Sequence, residues 1–194
     1  MFGWLAHAFA PVRTSIDAVA WTISRTSVRM SGAALAARLP LLGGVLYLPA
    51  CGSSLPAREL APGWLVTRED LAPLLQTEEL RASSMIGADG PREWIDCLDA
   101  SGVFCARLHL LPDTDYLAWD ALLACGTPLP LAPVCPGEVA CKAAIAELLC
   151  FRTSHLASLE VLGTLPLGRL SPLGRGIARD VARAAAVELA PAFD

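Results

Sequence analysis

Apolar and polar residues alternate most clearly between positions 93 and 110. Glu93-Trp94-Ile95-Asp96-Cys97-Leu98 and the run from Val103 to Leu110 both read as strands, because side chains two apart share one sheet face. Asp99-Ala100-Ser101-Gly102 between them is a tight connection, with glycine where a positive φ is needed. Pro112 ends the second strand. Asp113, Thr114 or Asp115 then caps a helix that carries Tyr116, Leu117, Trp119, Leu122 and Leu123. A hairpin followed by such a helix predicts a sheet with one face covered.

The rest of the pattern adds elements on both sides. Residues 1–39 read as two helices parted near residues 25–31. Trp4, Leu5, Ala8 and Phe9 form one stripe, and Ile16, Val19, Ala20 and Ile23 the other. This predicts a helical collar over 1–39 and a main domain over 40–194. Gly43-Gly44 turns into a strand over 45–48 that Pro49 ends. Residues 51–62 are a loop and Trp64-Leu65-Val66 a short strand. Residues 68–79 form a helix or turn broken at Pro73, and 77–81 lead into an edge strand. Four prolines mark 125–137 as a linker. From Glu138 the spacing of Ile145, Leu148, Leu149, Leu156 and Leu159 predicts a helix. A Gly/Pro-rich loop over 163–176 and a last helix over 177–189 follow. The class is α+β: an antiparallel β-sheet with helices packed on it.

Composition narrows what such a fold does. Of 194 residues, 54% are hydrophobic and 18% charged, enough for a sizeable core and a pocket for a flat apolar ligand. A net charge of −4 argues against a general nucleic-acid binder. The seven cysteines include no CxxC pair, so zinc-finger and thioredoxin signatures are missing, and they read as reduced, packed thiols of a cytosolic protein. No uninterrupted apolar run reaches the length of a membrane span. Residues 1–39 superficially resemble a transit peptide, and 48–54 a lipoprotein cleavage site that Pro40 and Pro49 argue against. The sequence carries no nucleophile triad, Walker loop or dinucleotide turn.

One residue stands out chemically. His155 is the sole histidine of the C-terminal third, within Arg152-Thr153-Ser154-His155. A neutral imidazole is a common iron or zinc ligand. The plain alternative is a partly buried helix residue with ordinary partners. His7 reads as a surface residue. His109 shares a strand face with Arg107 and is a reserve ligand, more often structural.

Residues 94–122 resemble the bacterial HemS-type haem-utilisation family, also called hemin-degrading or hemin transport factors. The resemblance rests on Asp99-Ala100-Ser101-Gly102, Arg107-Leu108, Leu110, Asp115, Ala118-Trp119 and Leu122, in the family's order. It resumes at Thr153-Ser154-His155, in the closing segment Val181–Ala186 with Glu188-Leu189-Ala190, and in Leu42-Gly43-Gly44-Val45-Leu46. The chain departs from the family in having room for one module where members usually carry two. It also has no evident Arg-Asn pair after the first strand, and Ala106 stands where many members have histidine.

The resemblance implies one HemS-like half-module in which His155 is the proximal haem ligand. A haem also needs cations for two propionates, for which Arg152, Arg169 and Arg175 are candidates, and Arg107 matches the family's basic hairpin position. The implied role is a cytosolic, haem-binding protein of bacterial haem uptake and iron acquisition. Implied partners are haem, a haem-uptake ABC transporter or a haem oxygenase, and a second copy. A haem-degrading enzyme with an external electron donor, and an interaction module that lost the ligand, are the alternatives.

Overall fold

The computed structural model describes residues 22–51, 60–87, 90–130, 143 and 145–191. They form one nine-stranded sheet: β1 (Thr22–Arg29), β2 (Gly44–Pro49), β3 (Trp64–Val66), β4 (Glu79–Gly87), β5 (Gly90–Leu98), β6 (Phe104–His109), β7 (Thr127–Leu129), β8 (Glu147–Leu156) and β9 (Leu159–Pro166). The spatial order is β3-β9-β8-β2-β6-β5-β4-β1-β7. Every pair is antiparallel except β3 with β9. Three α-helices accompany it: α1 (Gly32–Ala36), α2 (Tyr116–Ala124) and α3 (Pro172–Ala184). The fold is therefore α+β, a large, mostly antiparallel sheet with helices.

Each face of the sheet buries its own core. On one, Val45, Tyr47, Ile95, Leu108, Leu149 and Phe151 meet α1, α2 and two 3-10 segments, Leu39–Leu42 and Glu69–Gln76. Trp119 is the largest side chain in this core, and the buried Tyr47 hydroxyl donates to the Asp70 carbonyl at 2.6 Å. On the other face, Leu46, Leu48, Leu111 and Leu148 pack on Ile177, Ala178 and Ala182 of α3. Adjacent residues of β2 and β8 thus enter opposite cores, as strand alternation requires. Gly32 lets α1 press on the second 3-10 segment: a Cβ there would lie 2.2 Å from the Leu75 carbonyl oxygen.

The hairpin and α2 form as the pattern predicts. Gly102 takes φ 77° in the turn, and Asp115 caps α2 by accepting from the Leu117 and Ala118 amides. Four expectations are corrected. Residues 22–29 are a strand, not a helix, and pair with β4 along eight residues. Thr26 and Val28 are β-branched, and their fit to a pleated surface outweighs helical spacing. The first helical stripe and His7 lie outside the described residues. The proline-rich linker contains β7, where Pro128 sits on an edge strand that tolerates a missing donor.

The third correction matters most. Residues 147–156, expected in a helix, are strand β8, joined by a hairpin to β9. Leu148 serves one core and Leu149 and Phe151 the other, so the apolar run is continuous, and periodicity cannot tell such a strand from a helix. Lastly, the final helix starts at Pro172, five residues before the expected start at Ile177. Ser171 caps it, accepting from the Gly174 amide, with proline in the first turn. After α3 the chain returns beside Ala146, whose amide donates to the Glu188 carbonyl at 2.8 Å.

Candidate functional site

The site begins with the β8–β9 hairpin. The inner part of β8 is anchored by Leu148, Leu149 and Phe151; from Arg152 to Leu156 every side chain is exposed. Leu156 pairs with Leu159, so Ala157-Ser158 is a two-residue turn, and Ala157 supplies the positive φ of 54°. His155 stands one pair below this turn, directly opposite Glu160. Its side chain is 75% exposed, and Nδ1 lies 3.1 Å from Glu160 Oε1.

Glu160 is in turn level with Trp64 on β3. Cross-strand partners share a face, so His155, Glu160 and Trp64 form one row across three strands. That face is the one holding Phe151 and Leu162, and Trp64 packs partly against the same core. With Nδ1 directed at a carboxylate, the imidazole can carry its proton on Nδ1 and present the Nε2 lone pair outward. The arrangement suits an axial contact to a metal from solvent, with Trp64 two strands away in the same row.

The five candidate residues do not converge. Arg152 is three positions from His155 and so faces the opposite side of the sheet, lying across Gly163 of β9. Arg169 and Arg175 follow the end of β9, where Pro166 is level with Leu149. Six residues separate Leu149 from His155, roughly 20 Å at the rise of a strand. Arg175 Nη2 donates to the Leu170 carbonyl at 3.1 Å. These cations form no cradle around the His155 ring.

Arg107 is committed elsewhere. Its Nε and Nη2 donate to Asp96 Oδ1 and Oδ2 at 2.6 and 3.1 Å, and its guanidinium lies 5.5 Å from the Trp94 ring centre. It is on the α3 side of the sheet, level with Leu48 of β2 and largely withdrawn from solvent. His109 stacks beside it, 6.0 Å from Trp94, with Nε2 buried and unpartnered among the described residues. Burial, helped by Arg107 and then Arg92, pushes this imidazole down to about 3. It is therefore a neutral core residue.

A cavity of about 110 Å³ lies at the base of β8, lined by Arg68, Glu147, Leu148, Thr164, Pro166, Leu167, Ala190 and Pro191. Ligand pockets usually begin near 300 Å³, so it is too small for a porphyrin. Arg68 within it is bound by both Asp70 and Glu147, with Nη1 to Glu147 Oε1 at 2.8 Å. The expectation of a slot between the sheet and a His155-bearing helix is thus corrected, since that segment is a strand and its ring meets solvent. Among the described residues no group of three or more His, Cys, Asp or Glu is arranged to hold a metal ion. Among them, too, no helix is long and apolar enough to cross a membrane.

Glu160 and Trp64 escaped the sequence reading. Glu160 is five residues after His155, a distance that brings the two together only across a hairpin turn, and the helical assignment hid it.

What the geometry defines is a sheet protein with a solvent-facing imidazole–carboxylate pair. Among solved structures, part of the chain is similar to holo-PhuS, a heme-binding protein from Pseudomonas aeruginosa. The two share 22% identity over 57% of this chain and 39% of that one, with a TM-score of 0.34, a level of likeness that carries no argument about function. This chain therefore matches less than half of that protein's length. No protein-family model matches the chain, and no curated protein does.

Proposed function

We propose that this chain is a haem-binding protein that takes haem at an open surface through His155, for carriage rather than for chemistry on the porphyrin. The observation that carries the reading is the His155 ring, three-quarters exposed, with Nδ1 at Glu160 and Nε2 without a partner among the described residues. An iron ligand needs that free lone pair, and a porphyrin needs a flat apolar neighbour, which Trp64 in the same row supplies. The ordered resemblance to HemS-type proteins gives the same ligand and the half-module reading. Openness favours transfer, because a donor or acceptor can reach an exposed haem. The residues fit the axial contact; they do not supply the propionate cradle expected of Arg152, Arg169 and Arg175. A second copy or a partner protein would cover the remaining face. On this reading the protein works in the cytosol, passing haem between an uptake transporter and an iron-releasing enzyme.

Hemin titration followed by absorbance tests it. The wild type develops a shifted Soret band and His155→Ala loses it. An identical spectrum in both proteins overturns the ligand assignment. If hemin changes neither absorbance nor melting temperature of the wild type, the chain is an interaction module without the ligand.

A further inference from the structure

We infer that the α3 side of the molecule docks on an anionic phospholipid membrane, held by Arg152, Arg169, Arg175 and Arg179 and seated by Leu165 and Leu173. This surface lies on the face of the sheet opposite His155 and does not depend on haem binding there.

The charges are already separated along the chain. It carries −4 overall, yet residues 161–179 hold three arginines and no Asp or Glu. The fold gathers them on one side. Leu148 belongs to the α3 core, so every second residue of β8 shares that side, Arg152 among them. Leu165 is level with Cys150 and takes the same side. α3 buries Ile177, Ala178 and Ala182; Arg175 and Arg179, one turn apart, lie outside that stripe and are exposed. Arg169 is exposed in the loop that leads into α3. Among the described residues none of these four arginines has a carboxylate within ion-pair reach, and Arg175 meets only the Leu170 carbonyl. The acids nearby are engaged: Asp113 accepts from Ser171, and Asp180 is held by Arg183. Glu188 stands past the far end of α3.

The apolar members decide the partner. Leu165 and Leu173 are 46% and 64% exposed, and they flank Arg169 and Arg175 along the chain. Arginine beside exposed leucine suits a bilayer, where the guanidinium meets lipid phosphate and the leucine enters the acyl boundary. A nucleic-acid strand would need exposed aromatic rings for stacking. Trp94, on this side, is half-buried under the Arg107 guanidinium. The overall negative charge does not prevent docking. At physiological ionic strength charges beyond about 8 Å are screened, so acids on the other face contribute little.

Co-sedimentation of the full-length protein with vesicles tests this. The wild type should pellet with vesicles of phosphatidylcholine mixed with phosphatidylglycerol, but not with phosphatidylcholine alone, and the bound fraction should fall as salt rises. Arg175→Gln combined with Arg179→Gln should bind about 25-fold more weakly, roughly fivefold for each cation. Leu173→Ser should weaken binding about tenfold and leave the salt dependence unchanged. Arg38→Gln, on the opposite face where its guanidinium donates to the Ala34 carbonyl, should bind like the wild type. If the double variant fails to fold, Arg152→Gln gives the same comparison with a loss of about fivefold. A wild type that stays in the supernatant with anionic vesicles at low salt overturns the inference, and so does an equal loss in Arg38→Gln. Tighter binding to a single-stranded oligonucleotide than to the vesicles would assign the surface to nucleic acid and overturn the lipid reading.

Discussion

The two halves of β8 differ in both burial and neighbours. Glu147–Cys150 pairs with β2, β9 joins from Leu149 onward, and Leu148, Leu149 and Phe151 are buried; Arg152–Leu156 pairs with β9 alone and is exposed on both faces. The same backbone does two jobs. The inner half belongs to two cores and tolerates little change. The outer half is held by β9 alone, so its residues are free of packing duty, and a chemically active side chain can be carried there at little structural cost.

The largest expected effect falls on the inner half. Phe151 is buried and meets Tyr47 edge-to-face at 5.6 Å. Phe151→Ala should cost about 3–5 kcal/mol, as aromatic truncations in packed cores do. Denaturant melts check this, and a loss below about 1 kcal/mol breaks the division of β8.

Arg107→Ala comes next. It strands Asp96, whose side chain is 5% exposed, as an unpaired charge. Removing one partner of a buried pair costs about 3 kcal/mol or more. If this variant instead lost hemin binding with full stability, Arg107 would belong to the site and the two regions would be coupled.

These contrasts show how much was legible beforehand. The β5–β6 hairpin and α2 were readable because one face is polar or covered, so alternation and capping residues both spoke. β8 was not, since a strand buried on both faces loses its period-two signal, and Leu156 and Leu159 happened to extend a helical spacing. With β8 misassigned, Glu160 had no reason to be noticed. Arg107 shows the opposite case: its strand was right, but alternation alone does not say whether a cation meets a ligand or the aspartate across the hairpin.

His109 sharpens the contrast between the two histidines. Its folded pKa of about 3 lies below the ordinary 6.5. Below pH 6.5 the unfolded chain takes a proton that the folded one refuses, so this residue's stability contribution is complete above that pH. It falls by roughly 1.4 kcal/mol per unit as pH drops toward 3. His109→Phe, which keeps a ring beside Trp94, should flatten that part of the stability–pH curve. An unchanged slope would mean the ring is more accessible than its surroundings allow.

A smaller effect is expected where a cap, not a core, is removed. Asp115→Ala deletes the acceptor for two α2 amides and should cost about 1 kcal/mol.

The smallest effect on stability should come from His155→Ala. Its ring is three-quarters exposed, and Glu160, left alone, remains in water. Exposed ion pairs contribute little, so the change should stay within about 0.5 kcal/mol in denaturant melts. Yet this is the substitution expected to remove the Soret shift. Near-native stability with lost hemin response would place the function on the outer half of β8 and the fold on the inner half. A cost above about 2 kcal/mol would mean that the hairpin tip is structural, and that the open imidazole is held in place for the fold's sake.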